Sequence, residues 1–235
     1  MRIIILVLLL MTSSVALAER MFDGFYASAG YTYFKNKTRI FESAVEFSEW
    51  VPKVSLGYGK SSKLIRDTNY RMYLGIDTFY IGELEALQDA QLILDQEDSD
   101  IEEPRVNELE QQSTMGIGAR VGILDDSGVL GGNVYIDFGY VETEMQGMGS
   151  ATDSGVSVVI PRTSVDFKGS YWGAGYELAF TKNLALRMEF HNYNYDDEDL
   201  SLSVLNRNGT SQRLRGLNAL NLDNRSIFFG LTGRF

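Results

Sequence analysis

The chain holds no cysteine, one histidine and three prolines in 235 residues. Without cysteine there is no disulfide scaffold, no thiolate metal site and no cysteine nucleophile. The absence also fits an oxidising compartment, where stray thiols are a nuisance. Basic residues are in short supply, 21 against 32 acidic, and the net charge of −11 argues against nucleic acid as a partner. Long apolar runs are missing too: beyond the N-terminal stretch, no segment reaches the roughly 18 apolar residues a spanning helix needs. What is abundant is glycine, with 23 residues, and aromatics, with 13 Tyr and 13 Phe. That is a composition for strands and turns.

The one apolar run has a characteristic setting. Met1-Arg2 precedes it, Ile3 to Leu10 form it, and Ala16-Leu17-Ala18 follows as a small-x-small site. This is the pattern of a secretory signal peptide, residues 1–18, cleaved after Ala18. Eight apolar residues plus Met11 are too few for a membrane anchor. The expected domain is residues 19–235, 217 residues (235 − 18), and loss of Arg2 takes the charge from −11 to −12.

Period-two alternation recurs eight times along this domain. The first strand sets Phe25, Ala27, Ala29, Tyr31 and Tyr33 against Gly24, Tyr26, Ser28, Gly30 and Thr32. The fourth sets Met115, Ile117, Ala119, Val121 and Ile123 against Thr114, Gly116, Gly118, Arg120 and Gly122. The others centre on Val54–Tyr58, Tyr70–Asp77, Val134–Tyr140, Tyr171–Phe180, Leu184–His191 and Ser226–Phe235. Connections alternate in length. Segments 60–68, 125–132 and 181–183 are short, and about 35–49, 84–112, 147–169 and 198–223 are long. In an up-and-down barrel this gathers every long connection at one end, as in transmembrane barrels with short periplasmic turns and long extracellular loops. Asn208-Gly209 suits a hairpin tip, so the last two strands are expected to continue above the membrane.

One face of these strands is nearly free of charge, and the other carries glycine, small polar residues and scattered charges. An eight-stranded barrel has an interior just wide enough for side chains to fill. The glycine-bearing face therefore reads as the lumen and the aliphatic face as lipid-facing. Aromatics mark both rims: Trp50, Tyr80, Tyr140 and Trp172 beside the long connections, and Phe25, Tyr58, Tyr70, Phe180 and Phe235 beside the short ones. Two girdles are expected where amphipathic rings meet headgroups. Pro52 reads as a strand start at a rim.

The closing stretch "SIFFGLTGRF", with Ile227, Phe229, Leu231 and Phe235 on one face, resembles the C-terminal strand of the small outer-membrane β-barrel proteins of Gram-negative bacteria, the opacity-protein and OmpX/OmpA-barrel group. "LRMEFHNYNYDD" resembles their seventh strand. The resemblance implies an all-β, eight-stranded, antiparallel, porin-like barrel in the outer membrane, with its N-terminus periplasmic. It makes Ile227, Phe229, Leu231 and Phe235 the signal read by the outer-membrane assembly machinery. Implied partners are outer-membrane lipid and lipopolysaccharide, that machinery with periplasmic chaperones, and a host or surface ligand at the loops. The implied function is that of a non-enzymatic surface protein acting in adhesion or in host or envelope interactions, without cofactor. A narrow channel is the alternative.

Inward positions carry Lys53, Arg71, Asp77, Arg120, Asp137, Glu177, Arg187, Glu189 and Arg234. Buried charges need partners, so an ion-pair network plugging the lumen is expected, with a gate as the second reading. His191 is the one candidate general base. Lipid A deacylases, which are also eight-stranded barrels, place a serine two residues after their histidine; here that position is Tyr193. A lipid A-modifying activity lacks its nucleophile, and His191 is expected in the rim. Segment 84–112 carries ten acidic residues and Arg105, a net −9. Its spacing lacks the glycine-punctuated calcium-loop pattern, so a solvated acidic loop is expected rather than a divalent-cation site.

Overall fold

The computed structural model describes residues 22–40, 43–63, 69–84, 88–91, 101–125, 131–153, 156–196, 198–205 and 211–235. The expected signal peptide lies outside them. Ten strands run along the chain: β1 (Gly24–Ile40), β2 (Ser43–Lys63), β3 (Tyr70–Ile81), β4 (Gln88–Gln91), β5 (Ile101–Asp125), β6 (Gly132–Asp153), β7 (Val156–Ala179), β8 (Leu184–Tyr195), β9 (Glu198–Leu205) and β10 (Ser211–Arg234). No described segment is helical. The order is β1-β2-β3-β5-β6-β7-β8-β10, all antiparallel, and β10 pairs back onto β1. Eight strands thus close an up-and-down barrel. Short β4 and β9 are side pairings on β5 and β10.

The outer and inner faces are those the alternation predicts. Ile76, Ile117, Leu56 and Val134 are 61–63% exposed on the isolated chain, while Arg120, Arg187 and Lys53 are 1% exposed. A soluble barrel would reverse this. Each aliphatic of the belt gains about 1.5–3 kcal/mol on leaving water, and only a lipid surround supplies that gain to a whole ring of them. Glycine makes the interior workable. A Cβ on Gly57 would run into the Tyr26 ring, and one on Gly175 into the Tyr135 ring. Bare backbone on these strands leaves room for tyrosines reaching in from their neighbours.

The closing seam explains the aromatic chain end. β1 and β10 pair from Tyr26↔Arg234 to Arg39↔Asn221. Phe235 donates its N–H to the Phe25 carbonyl at 2.9 Å. Where the two ends meet, Gly24 has a φ of +108°, a conformation L side chains avoid. A strand edge left open in hydrocarbon would strand its donors and acceptors, so the last residue must be zipped in.

Three expectations need correction. The segments about 35–49 and 147–169 are not loops: β1 and β2 stay paired to Ile40↔Ser43, and β6 and β7 to Asp153↔Val156. Within 84–112, β5 already begins at Ile101. Within 198–223 the expected continuation of the last two strands is present: β9 pairs with β10 from Leu205↔Ser211 to Glu198↔Leu220. Pro52 does not start a strand. It lies inside β2, where the β2–β3 ladder begins at Lys53↔Ile81 while the β1–β2 ladder runs on. These extensions carry no regular hydrophobic alternation in their sequences to read as strand. The acidic side chains between residues 85 and 109 lie outside the described residues.

Candidate functional site

The lumen is a stack of side chains. Nearest the short turns, Arg234 donates from Nη1 to the Phe22 carbonyl at 2.9 Å and pairs through Nη2 with Glu177. Phe22, Tyr73, Leu124, Ala179 and Ala185 pack around that end.

The middle holds a fused ion network. Arg187 donates to Ser28 and Ser55 at 3.0 Å each, to Asp77 at 3.1 Å, to the Tyr135 hydroxyl at 3.1 Å, and to Glu189. Arg120 donates to Asp77 at 2.6 Å and Glu189 at 3.0 Å, with Glu177 and Asp137 within 3.8 Å. Its guanidinium lies 4.0 Å from the Tyr135 ring centroid. Lys53 donates to Glu189 at 2.9 Å and sits 4.7 Å over the Phe79 ring. Arginine suits this role because its planar fork serves several carboxylates at once. Eight of the nine inward charges foreseen are therefore fully buried and joined. Arg71 is the ninth, half-buried at the short-turn end of β3.

His191 is not in the rim. It is 1% exposed, inside the lumen. Its Nε2 lies 2.9 Å from Asp137 and its Nδ1 3.4 Å from the Lys53 ammonium. An ammonium only donates, so Nδ1 accepts and Nε2–H donates to Asp137. The ring stacks on Phe79 at 5.9 Å. Period-two parity put His191 on the face of Arg187 and Glu189, and that signal outweighs the habit of finding histidine at a membrane rim. Both ring nitrogens are engaged, so His191 has none left to activate a hydroxyl. Asp137, Glu189 and His191 each offer a ligand atom within 4.8 Å of one another. The Lys53 ammonium sits against two of the three, so this trio already neutralises a cation of its own chain.

Above the ions comes a collar of Phe34, Val51, Phe79, Ile81, Leu84, Val141, Tyr171 and Tyr193. Leu84 bridges Gln111 beyond the end of β3, and a bulge in β5 between Gln111 and Ser113 shifts the parity so that Gln111 turns inward. Higher still, a neutral layer runs from Asn36 through Gln111, Thr114 and Thr143 to Tyr195. Sequence reading missed this collar, and with it Tyr26, Ser28, Ser55 and Tyr135. Their one signal was inward parity.

The girdle candidates Trp50, Tyr58, Tyr70, Tyr80, Tyr140, Trp172 and Phe180 are exposed on the outer face. Trp50 lies 5.5 Å from Tyr33, Tyr58 5.0 Å from Phe25, and Trp172 6.2 Å from Phe190. Ile227, Phe229 and Leu231 share that face, and Phe235 is half-buried at the seam.

Over residues 4–235 the chain matches the family described as outer membrane protein beta-barrel domain. Among solved structures it is similar to Neisserial surface protein A, at 14% identity and a TM-score of 0.43, covering 91% of this chain and 98% of that one. It is also similar to the attachment invasion locus protein of Yersinia pestis, at 8% identity and 0.40, covering 90% and 99%. The outer membrane protease OmpT of Escherichia coli gives 12% identity and 0.49, covering 94% and 100%. No curated protein matches the chain.

Proposed function

The chain belongs to the outer membrane protein β-barrel family, and on that footing we propose that it is a non-enzymatic surface protein whose hairpins at the long-connection end meet a host or envelope ligand. The supporting observation is the filled lumen. Arg120, Arg187, Lys53 and their carboxylates are at most 5% exposed, with packed apolar residues above and below them. A barrel so plugged serves as a rigid stand, and its chemistry toward the outside lies in what it holds up. The short turns face the periplasm, and lipid with lipopolysaccharide surrounds the apolar belt. Export by a leader cleaved after Ala18 belongs to the same proposal, with assembly aided by periplasmic chaperones and the machinery that reads the last strand. A screen of intact cells with and without the protein against candidate surfaces tests the reading; equal binding by both overturns it.

A second reading, a narrow ion or solute channel, is favoured by one observation. Polar groups follow one another from Arg234 through Glu177 and Arg120 to Asp137 and His191. Planar-bilayer current from the wild-type barrel separates the two. A lipid A-modifying activity finds no support in a His191 that faces the lumen, away from lipid. Unchanged lipid A masses in expressing cells are the expected result.

A further inference from the structure

At the long-connection end the outward face of the barrel changes character between two neighbouring rows of residues. One row is apolar: Trp50, Tyr33, Ile227 and Phe190 are successive register partners across β2, β1, β10 and β8. Two residues further from the middle of the belt, on the same face, the row reads Ser48, Lys35, Arg225 and Asn192 and ends on Trp172 of β7. Lys35, Arg225 and Trp172 are exposed. The Tyr33 hydroxyl donates to Ser48 at 2.8 Å and ties the two rows together. The cations thus stand where the aromatic girdle ends and the polar surface begins.

Lys35 and Arg225 are direct register partners across the closing seam. Partners on one face hold their Cβ atoms about 4.5–5.5 Å apart, and like charges so placed are destabilising. The same rim shows the ordinary arrangement elsewhere. Lys168 on β7 is the register partner of Glu142 on β6, and its ammonium lies 3.8 Å from that carboxylate. Glu49 on β2 lies opposite inward-facing Phe34, on the other face from Lys35. The next row outward at the seam sets Lys37 opposite Asp223, one cation to one anion. The seam therefore presents an excess of positive charge at one step, directly above apolar surface.

We propose that Lys35 and Arg225 bind the phosphate of a phosphorylated glycolipid in the outer leaflet, whose acyl chains lie on the row of Trp50, Tyr33, Ile227 and Phe190. The arginine fork takes two phosphate oxygens, and the lysine acts as a point charge beside it. A phosphate monoester carries about −1.5 to −2 at neutral pH, which answers both cations. The phosphodiester of a common phospholipid carries a single charge and answers one. Beyond Arg225 the row continues with Asn192, whose amide both donates and accepts, and with the Trp172 indole. Those groups suit the hydroxyls and ring face of a sugar. The proposal rests on the reading that places the long-connection end at the cell surface, and it is independent of what the hairpins bind.

The test is native mass spectrometry of the refolded mature chain in neutral detergent, which counts bound lipid molecules. The probes are lipid A with two phosphate monoesters, the same lipid after dephosphorylation, phosphatidylglycerol and inorganic phosphate. Phosphorylated lipid A is expected to bind about tenfold or more tightly than its dephosphorylated form and than phosphatidylglycerol. The double variant Lys35→Gln, Arg225→Gln should lose that preference, while Lys168→Gln, which removes the cation already paired with Glu142, should keep it. Heat-modifiable mobility on gels shows that each variant is folded; should the double variant not fold, Arg225→Gln alone should weaken binding severalfold. Equal binding of the dephosphorylated lipid, an unchanged preference in the folded double variant, or an equal loss in Lys168→Gln overturns the site. Phosphatidylglycerol binding as tightly as lipid A overturns the glycolipid as occupant, and inorganic phosphate displacing it at equal concentration overturns any lipid. Orientation is read separately, by impermeant labelling of cysteine variants on whole cells. Reversed labelling overturns the cell-surface reading whatever binds, and expected labelling without a phosphate preference overturns the site alone.

Discussion

Neutralising Glu189 should be the most damaging isosteric change available inside the barrel. Its carboxylate accepts from Lys53 at 2.9 Å, Arg120 at 3.0 Å, the Tyr135 hydroxyl at 2.8 Å, and Arg187. The buried network sets Lys53, Arg120, Arg187 and Arg234 against Asp77, Asp137, Glu177 and Glu189, four charges against four. Glu189→Gln keeps the shape and leaves four against three. Removing one partner from a buried ion pair costs about 3–5 kcal/mol, because the other charge is left uncompensated. Lys53→Met should cost less, since Glu189 retains two arginines and a tyrosine. Joining the two changes restores balance at three against three. The double variant should then be more stable than the summed single costs imply, by about 1–3 kcal/mol. Urea unfolding in lipid vesicles, followed by the fluorescence of Trp50 and Trp172 on the outer face, measures all three. The reasoning is refuted if Glu189→Gln unfolds at the wild-type urea concentration, or if the two single costs simply add.

The remaining predictions concern membrane placement. Ala119→Arg puts a charge into the apolar belt and should cost about 2–4 kcal/mol near the midplane; refolding yield into vesicles should fall, and wild-type yield would mean the faces are reversed. Deleting Phe235 removes the N–H that bonds the Phe25 carbonyl, and should cut the amount of heat-modifiable protein in the outer membrane far more than it lowers the urea midpoint of material refolded in vitro. Cysteines placed at Asp98 and Asn208 should react with an impermeant reagent on whole cells and one at Ser127 should not; the opposite pattern would invert the topology.

Legibility in the sequence followed the medium. Where a strand has lipid on one side and a packed lumen on the other, alternation reports both faces. So the barrel from Phe25 to Phe235 and eight of nine lumen charges could be read directly. Where the strands run on past the apolar belt, the alternation fades: about 147–169, part of β6 and β7, reads as a long connection. Parity also says which way a side chain points without saying what it meets. Tyr26 and Tyr135 were known to point inward, but their place against arginines depends on which glycines oppose them, and Gly57 and Gly175 oppose them only in this register. Gln111 was hidden by the bulge that shifts parity between Gln111 and Ser113.

The ion network joins residues far apart in the chain. Lys53 and Glu189 are separated by 136 positions, and Arg234 and the Phe22 carbonyl by 212. None of these contacts can form while the last strand is still unpaired. A closure slipped by one residue would turn Arg234 toward lipid and take from Glu177 one of its three arginine partners. The lumen charges therefore act as a checksum on the seam. An alignment slipped by an odd number of residues takes the Arg234 charge out of that sum, so such a misaligned barrel is penalised at the moment it closes. Side chains that look like inert filling in the finished molecule are what makes its last folding step selective.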